Sequence, residues 1–139
     1  MARQLVHFDF LRRPAGLPVT TMYERLGGMP FFEALTDEFY RRVAQDEILR
    51  PLYPEDLAPA RLHLQLFLAQ FWGGPRLYDE QRGNPHLRVR HLAFRIGPAE
   101  RDRWLELMGA ALEASHARAM DKAQLLSYFE SVASHLVNC

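Results

Sequence analysis

The chain has 139 residues, 48% of them hydrophobic and 24% charged, a composition typical of one globular domain with a sizeable core. Its 17 basic and 17 acidic residues cancel, so the overall charge favours neither a nucleic acid nor an anionic membrane as partner. The single cysteine, Cys139, excludes an internal disulfide and a thiolate metal cluster. No apolar run reaches the roughly 20 residues that span a bilayer. Because Asp9 also interrupts the N-terminal stretch where a signal peptide would be apolar, we expect a cytoplasmic protein.

The first element in chain order is an N-terminal extension over residues 1–19, which precedes a single domain over residues 20–139. The extension contains several large apolar side chains and is closed by prolines and a glycine, which favours packing on this chain or in a homodimer, although the sequence leaves equally open that it has no role. After it, Thr21 and Glu24 have the spacing of a capping box and predict a short helix that Gly27 and Gly28 end.

Four long helices are predicted from apolar residues spaced three and four apart. The first begins near Pro30, and Tyr40 lies beside its apolar stripe. The second begins at about Pro59, is apolar on more than one side, and is therefore expected to be buried on more than one side. The stripe of the first is Phe32, Leu35, Phe39 and Val43, and the apolar residues of the second are Leu62, Leu64, Leu66, Phe67, Leu68, Phe71 and Trp72.

The third long helix begins at Pro98 with Glu100 in its first turn, and the fourth is expected to have Asp121 as its N-cap. Between the second and third, residues 75–97 are broken by glycines and prolines and are expected to be irregular, with one short helix that contains His91. No stretch shows the alternation of a strand with hairpin turns, so the predicted class is all-α. The apolar stripes are Trp104, Leu105, Met108, Ala111 and Leu112, and then Leu125, Tyr128, Phe129, Val132 and Leu136.

The best candidate ligand is His91, because no other chemistry is signalled. The chain has no helical His-Glu-x-x-His pair, no Gly-x-Ser-x-Gly turn and no glycine-rich phosphate loop. A single histidine on a short segment between long apolar helices is typical of a haem protein. Taken alone, however, His91 is more simply explained as a structural histidine.

Three further features accompany His91. Residues 76–95 carry five arginines against Asp79 and Glu80, a balance of +3 that suits the two propionates of a haem, although a solvated surface explains it equally well. The helix from Pro59 has more apolar surface than a two-layer bundle needs. Polar-tipped aromatic residues also stand on elements that are expected to converge, and such residues need hydrogen-bond partners when buried; they are Tyr40, Tyr53 and Trp104.

With these features in place, the chain resembles the truncated haemoglobins, specifically group II, from about Thr20 to Asn138. Each motif is weak alone, but together, in this order and at compatible spacing, they are highly specific. They are Gly27-Gly28, Phe39-Tyr40, Tyr53-Pro54-Glu55-Asp56, Phe71-Trp72-Gly73-Gly74-Pro75-Arg76, Gln81-Arg82-Gly83, Arg88-Val89-Arg90-His91, Phe94-Arg95-Ile96 and Trp104.

The resemblance implies a truncated globin fold, in which two pairs of antiparallel helices, two over two, enclose one haem b. It implies that His91 is the proximal iron ligand, with its second ring nitrogen donating to a backbone carbonyl. Arg90 would approach a propionate, and Tyr78 and His63 are further candidates for that edge. Phe94 and Ile96 complete the expected cofactor-binding residues on the proximal side.

On the distal side, the resemblance implies that Trp104 and either Tyr40 or Tyr53, at the next distal position, donate hydrogen bonds to a bound diatomic ligand. Leu64 and Phe67 are expected to form the apolar wall, and Ala60 replaces the usual distal histidine.

The function implied is binding of O₂, and of other diatomic ligands such as CO or NO, in a polar distal pocket. The resemblance leaves open whether this serves O₂ storage or redox chemistry such as NO dioxygenation or peroxide consumption. Because the chain has no flavin or nicotinamide module, such an enzyme would need an external reductase. The alternative is a haem-free helical interaction domain derived from a globin.

Overall fold

The computed structural model describes residues 20–83 and 85–139, so the predicted packing of residues 1–19 lies outside the described residues and stays a prediction. The described ranges contain no strand, which confirms the all-α class, and no helix long and apolar enough to cross a membrane. The helices are α1 (Met22–Arg25), α2 (Met29–Val43), a 3₁₀ helix (Arg50–Leu52), α3 (Ala58–Phe71), α4 (Leu77–Arg82), α5 (Leu87–His91), α6 (Pro98–Ala114) and α7 (Ala119–Leu136).

The start of the domain follows the predicted capping chemistry. The Glu24 amide donates to the Thr21 hydroxyl oxygen at 3.1 Å, and the Thr21 amide donates to the Glu24 carboxylate at 3.0 Å. Gly27 and Gly28 then have φ angles of 100° and 84°, which side chains disfavour. The glycine pair therefore ends α1 after one turn and lets α2 begin at once.

The long helices form two packed pairs, α2 with α3 and α6 with α7, and α2 also contacts α6. This is the expected two-over-two arrangement. The predicted stripe of α2 lies at the centre, and all four of its residues are at most 2% exposed. Helix α3 is buried at Leu66 and Leu68, whereas Leu62 near its start is 38% exposed and is an exception to the predicted burial.

Two sequence predictions differ from the structure. Residues 75–97 contain two short helices, whereas the sequence predicted one. The helix that was missed, α4, has only six residues and is too short to show a periodic pattern. Asp121 is not the N-cap of α7: Arg118 occupies that position, and Asp121 lies in the first turn. Its carboxylate instead pairs with Arg25 at 3.2 Å, and so joins α7 to α1.

Candidate functional site

His91 is the last residue of α5, and its ring is oriented by its own helix. The Nδ1 atom lies 2.6 Å from the Leu87 carbonyl oxygen. Because a carbonyl only accepts hydrogen bonds, Nδ1 must carry the proton, and Nε2 of the neutral ring keeps its lone pair. No group of three or more His, Cys, Asp or Glu side chains in the described ranges is placed to hold a metal ion.

The segment after His91 is held by the far end of the chain. Phe94 is 43% exposed and Ile96 is half-buried. The Phe94 carbonyl accepts a hydrogen bond from the Asn138 side chain at 2.9 Å. The Ile96 amide donates to the Oδ1 atom of the same side chain at 3.0 Å. Asn138 was missed by sequence reasoning, because its partners lie more than 40 residues away and no local motif marks it.

A basic edge brings together His63 of α3, Arg82 of α4 and Arg90 of α5. Burial lowers the pKa of His63 below its usual 6.5, and the positive charges of Arg82 and Arg90 lower it further, so the three groups are neighbours. The Arg90 guanidinium donates to the Pro85 carbonyl at 2.7 Å and to the Arg82 carbonyl at 2.9 Å. Neither Arg82 nor Arg90 has a carboxylate partner among residues 20–83 and 85–139.

Tyr78 lies on α4, four residues before Arg82, and contacts the apolar side of α3. It is 4% exposed, and its ring centroid lies 5.4 Å from that of Phe67. Phe67 and Leu64 are half-buried and pack against the core from α3, on the helix that also carries His63 and Ala60. Tyr78 therefore extends the apolar surface of α3.

The three polar-tipped aromatic residues meet in one cluster. The rings of Tyr40 and Tyr53 lie 5.5 Å apart in an edge-to-face arrangement. Phe39 links them to α6, because its ring lies 5.0 Å from those of both Tyr40 and Trp104. The polar ends of Tyr40 and Trp104 both lie close enough to the Tyr53 hydroxyl to influence its pKa.

The cluster stays uncharged at neutral pH. Burial raises the pKa of Tyr40 well above 10, and the neighbouring Tyr53 raises it further. Burial also raises the pKa of Tyr53, although interactions of its hydroxyl with the side chains of Tyr40 and Trp104 oppose part of that effect. The cluster therefore holds protonated polar groups close together.

An ion pair between a buried aspartate and a partly exposed arginine lies beside this cluster and was also missed by sequence reasoning. Asp46, at 6% exposure, accepts from the amides of Ile48 and Leu49 at 3.1 and 2.9 Å and from the Arg103 guanidinium at 2.5 Å. Burial alone raises the pKa of the Asp46 carboxyl, but these hydrogen bonds and the Arg103 charge outweigh it and hold the pKa below its usual 3.8. The pair joins the segment that leads to Tyr53 to the residue before Trp104.

An open cleft of about 610 Å³ lies between α2 and the start of α3. Its lining includes Asp37, Tyr40, Leu57 and Arg61, but not His91. The Arg61 guanidinium pairs with Asp37 at 3.3 Å along this cleft. The cleft therefore reaches the Tyr40 side of the aromatic cluster, separately from the basic edge.

Comparison with known proteins agrees with this arrangement. Residues 21–138 match the model of the family described as bacterial-like globin. Group 2 truncated hemoglobin YjbI of Bacillus subtilis (strain 168) is 38% identical over 116 residues, which cover 84% of this chain and 87% of that protein.

Solved structures of truncated and thermostable haemoglobins are similar to this chain in fold. A thermostable hemoglobin from the actinobacterium Thermobifida fusca superposes with a TM-score of 0.84 at 49% identity, covering 86% of this chain and 98% of that one. A truncated oxygen-avid haemoglobin from Bacillus subtilis superposes with a TM-score of 0.82 at 37% identity, covering 86% of this chain and all (100%) of that one. The chain therefore belongs to the bacterial-like globins and, among them, to the group II truncated haemoglobins.

Proposed function

We propose that this chain binds haem b through Nε2 of His91 and retains O₂ by hydrogen bonds from the cluster of Tyr40, Tyr53 and Trp104. Membership of the truncated haemoglobins implies haem-based gas binding. The type of haem and the role of each residue are our proposal. It is supported by the chemistry of the side chains and by their placement.

The residues present fit a haem. His91 supplies one nitrogen ligand whose orientation is set by the Leu87 carbonyl, 2.6 Å from Nδ1. Leu64 and Phe67 supply a half-buried apolar surface on α3. Arg90 and Arg82, which lack carboxylate partners in the described part of the chain, suit the two propionates. The apolar face, the basic edge and the single imidazole match the three chemical parts of a haem.

The haem supplies an iron centre that binds a diatomic gas reversibly. The side chains of this protein determine how tightly the gas is held. His91 is kept in one tautomer, and the apolar side chains of Leu64 and Phe67 exclude water. The hydroxyl and indole N–H groups of the aromatic cluster provide donors to a ligand with partial negative charge.

The observation that carries the proposal is the convergence of Tyr40 and Trp104 on the Tyr53 hydroxyl. Packed aromatic rings hold the two tyrosine hydroxyls and the indole N–H in place before a gas binds. Little conformational entropy is therefore lost when one of these groups donates to a ligand. Each hydrogen bond contributes about 1 kcal/mol, and two would slow release of the gas on the order of ten- to a hundredfold.

Slow release favours retention of O₂ over bulk transport. The relative from Bacillus subtilis that is described as oxygen-avid has 37% identity to this chain, which is in keeping with that view. A haem-free interaction domain would need neither the oriented imidazole of His91 nor an aromatic cluster with three polar groups. Redox turnover of the bound gas would require a separate reductase.

The test uses the haem-loaded protein and a matched pair of tryptophan variants. Trp104→Phe removes a donor from the cluster, whereas Trp72→Phe removes an indole at the end of α3 whose N–H has no hydrogen-bond partner among the described residues. We expect O₂ to dissociate about tenfold faster from Trp104→Phe than from the wild type, and at an unchanged rate from Trp72→Phe. Stopped-flow mixing of the oxygenated protein with excess CO measures both rates.

Equal dissociation rates in the wild type and Trp104→Phe would show that the indole does not hold the gas. Failure of the wild type to develop a Soret band on titration with haem would contradict the proposal as a whole.

A further inference from the structure

Asn138 makes four hydrogen bonds to the segment that follows His91. Its Nδ2 donates to the carbonyls of His91 at 3.2 Å and of Phe94 at 2.9 Å. Its Oδ1 accepts from the Ile96 amide at 3.0 Å, and its backbone amide donates to the Ile96 carbonyl at 2.8 Å. The side-chain orientation follows from the partners, because carbonyls need a donor and an amide needs an acceptor.

These contacts are not part of the end of helix α7. The helix ends at Leu136, and its C-cap, Val137, is extended with φ −61° and ψ 129°. Asn138 thus lies beyond the helix, and its side-chain partners are 42 to 47 residues away in the sequence. They belong to residues 91–96, which join α5 to α6 mostly without regular structure.

Helix α5 has little stability of its own. It has five residues, its N-cap His86 makes no side-chain capping bond, and none of its residues is buried. Helices this short are marginal in water, so contacts from outside determine their position. Helix α7 and the residues just after it provide two of them: the Arg88 guanidinium donates to the His135 carbonyl at 3.3 Å, and the Asn138 side chain donates to the His91 carbonyl at 3.2 Å.

We propose that Asn138 is a positioning residue for the proximal side of the haem site: it fixes the backbone of His91 and of the following segment, and so sets the position of the imidazole that binds the haem iron. This inference rests on the proposed function, because it takes His91 as the ligand. Asn138 acts through the backbone of residues 91–96 and not by contact with the haem.

Two variants separate the donors of Asn138 from its acceptor. Asn138→Asp keeps an oxygen for the Ile96 amide but loses the donors to the His91 and Phe94 carbonyls, whereas Asn138→Ala loses all three side-chain bonds. The backbone bond to the Ile96 carbonyl persists in both. Cys139→Ala, at the exposed neighbouring position, is the matched control.

The first readout needs no haem. Hydrogen exchange of the Ile96 amide in the haem-free protein is expected to be unchanged in Asn138→Asp and in Cys139→Ala, and about fivefold or more faster in Asn138→Ala, because only alanine removes its acceptor. An Ile96 amide that exchanges equally fast in all four proteins would overturn the inference.

The second readout uses the haem-loaded ferrous protein. In both Asn138 variants we expect a shifted iron–histidine stretching band in resonance Raman spectra and about five- to tenfold faster transfer of haem to excess apomyoglobin. A lower unfolding temperature with an unchanged iron–histidine band and an unchanged rate of haem transfer would overturn the positioning role. Asn138 would then only stabilise the C-terminal end of the chain. A wild-type protein without a Soret band would instead remove the proposed function on which the inference rests.

Discussion

The two sides of the candidate haem site are built in different ways. The distal cluster lies on long helices and on the segment leading to α3, and its rings pack against one another at centroid distances of 5.0 to 5.5 Å. The proximal side is a five-residue helix without a buried residue, held by hydrogen bonds to backbone atoms. One side is fixed by packing of the core, and the other by polar contacts near the surface.

The difference indicates a division of roles. Close packing holds donors to within small displacements, because a core with few voids resists shifts of its side chains. Tyr40, Tyr53 and Trp104 are therefore suited to a fixed interaction with a gas ligand. Exposed hydrogen bonds are individually weak, so the position of the proximal segment depends on several of them acting together.

The largest effect is expected at His91. His91→Ala removes the only imidazole on α5, so stable haem retention should be lost, whereas His135→Ala at an exposed position of α7 should retain the haem. The Soret absorbance that remains after gel filtration of each haem-loaded protein measures retention. If His91→Ala kept the wild-type spectrum and haem affinity, the ligand assignment and the contrast between the two sides would both be wrong.

The next effect concerns the stability of the distal side. Asp46→Ala leaves two amides and the Arg103 guanidinium without their acceptor, and we expect the free energy of unfolding to fall by about 2 kcal/mol. Asp46→Asn can keep the oxygen that the amides use, so its loss should be about half as large. Urea unfolding of the haem-free protein measures both changes.

The matched control for Asp46 is Asp102→Ala. Its carboxylate pairs with Arg101 at 2.9 Å at the surface, and its side chain is 64% exposed, so the change should be less than about 0.5 kcal/mol. Equal losses in the Asp46→Ala and Asp102→Ala proteins would contradict the idea that the distal side depends on the buried carboxylate of Asp46.

The smallest effect is a pH dependence at the basic edge. Burial and the charges of Arg82 and Arg90 lower the pKa of His63 in the folded state, so the unfolded chain takes up this proton more readily. The free energy of unfolding should therefore be highest above the unfolded pKa of 6.5 and should fall as the pH drops below it. Urea unfolding of haem-free protein at about pH 7.5 and pH 5.5 should show a smaller decrease in His63→Gln than in the wild type.

Haem offers a second check on His63. Propionates beside Arg82 and Arg90 would offset their positive charge, so the pKa of His63 should rise when haem binds. Titration of the His63 ring by NMR, with and without haem, measures the shift. If the pKa of His63 did not rise on haem binding, the propionates would not lie beside Arg82 and Arg90.

The parts of the fold that sequence reasoning predicted well are those with local or periodic signals. The capping box at Thr21, the glycine pair after α1 and the stripe of α2 all depend on residues within a few positions of one another. The start of α6 at Pro98 has the same origin. In each case the interaction that forms the element is visible in a short window of sequence.

The parts that were missed or wrong depend on partners distant in the chain. The sequence around Asp121 predicts a helix N-cap, whereas in the structure its carboxylate pairs with Arg25, 96 residues away. Asp46 and Arg103 are 57 residues apart, and Asn138 is 42 to 47 residues from its partners. The resemblance to truncated haemoglobins predicts that Tyr40, Tyr53 and Trp104 share one pocket, but only the structure shows that Phe39 packs between Tyr40 and Trp104.

The central claim, that the distal cluster retains the gas while the proximal segment holds the haem, is tested most directly by O₂ dissociation from matched haem-loaded variants. We predict that Trp104→Phe releases O₂ about tenfold faster than the wild type and that Asn138→Asp changes this rate by less than about threefold. A larger change in Asn138→Asp than in Trp104→Phe would contradict the account.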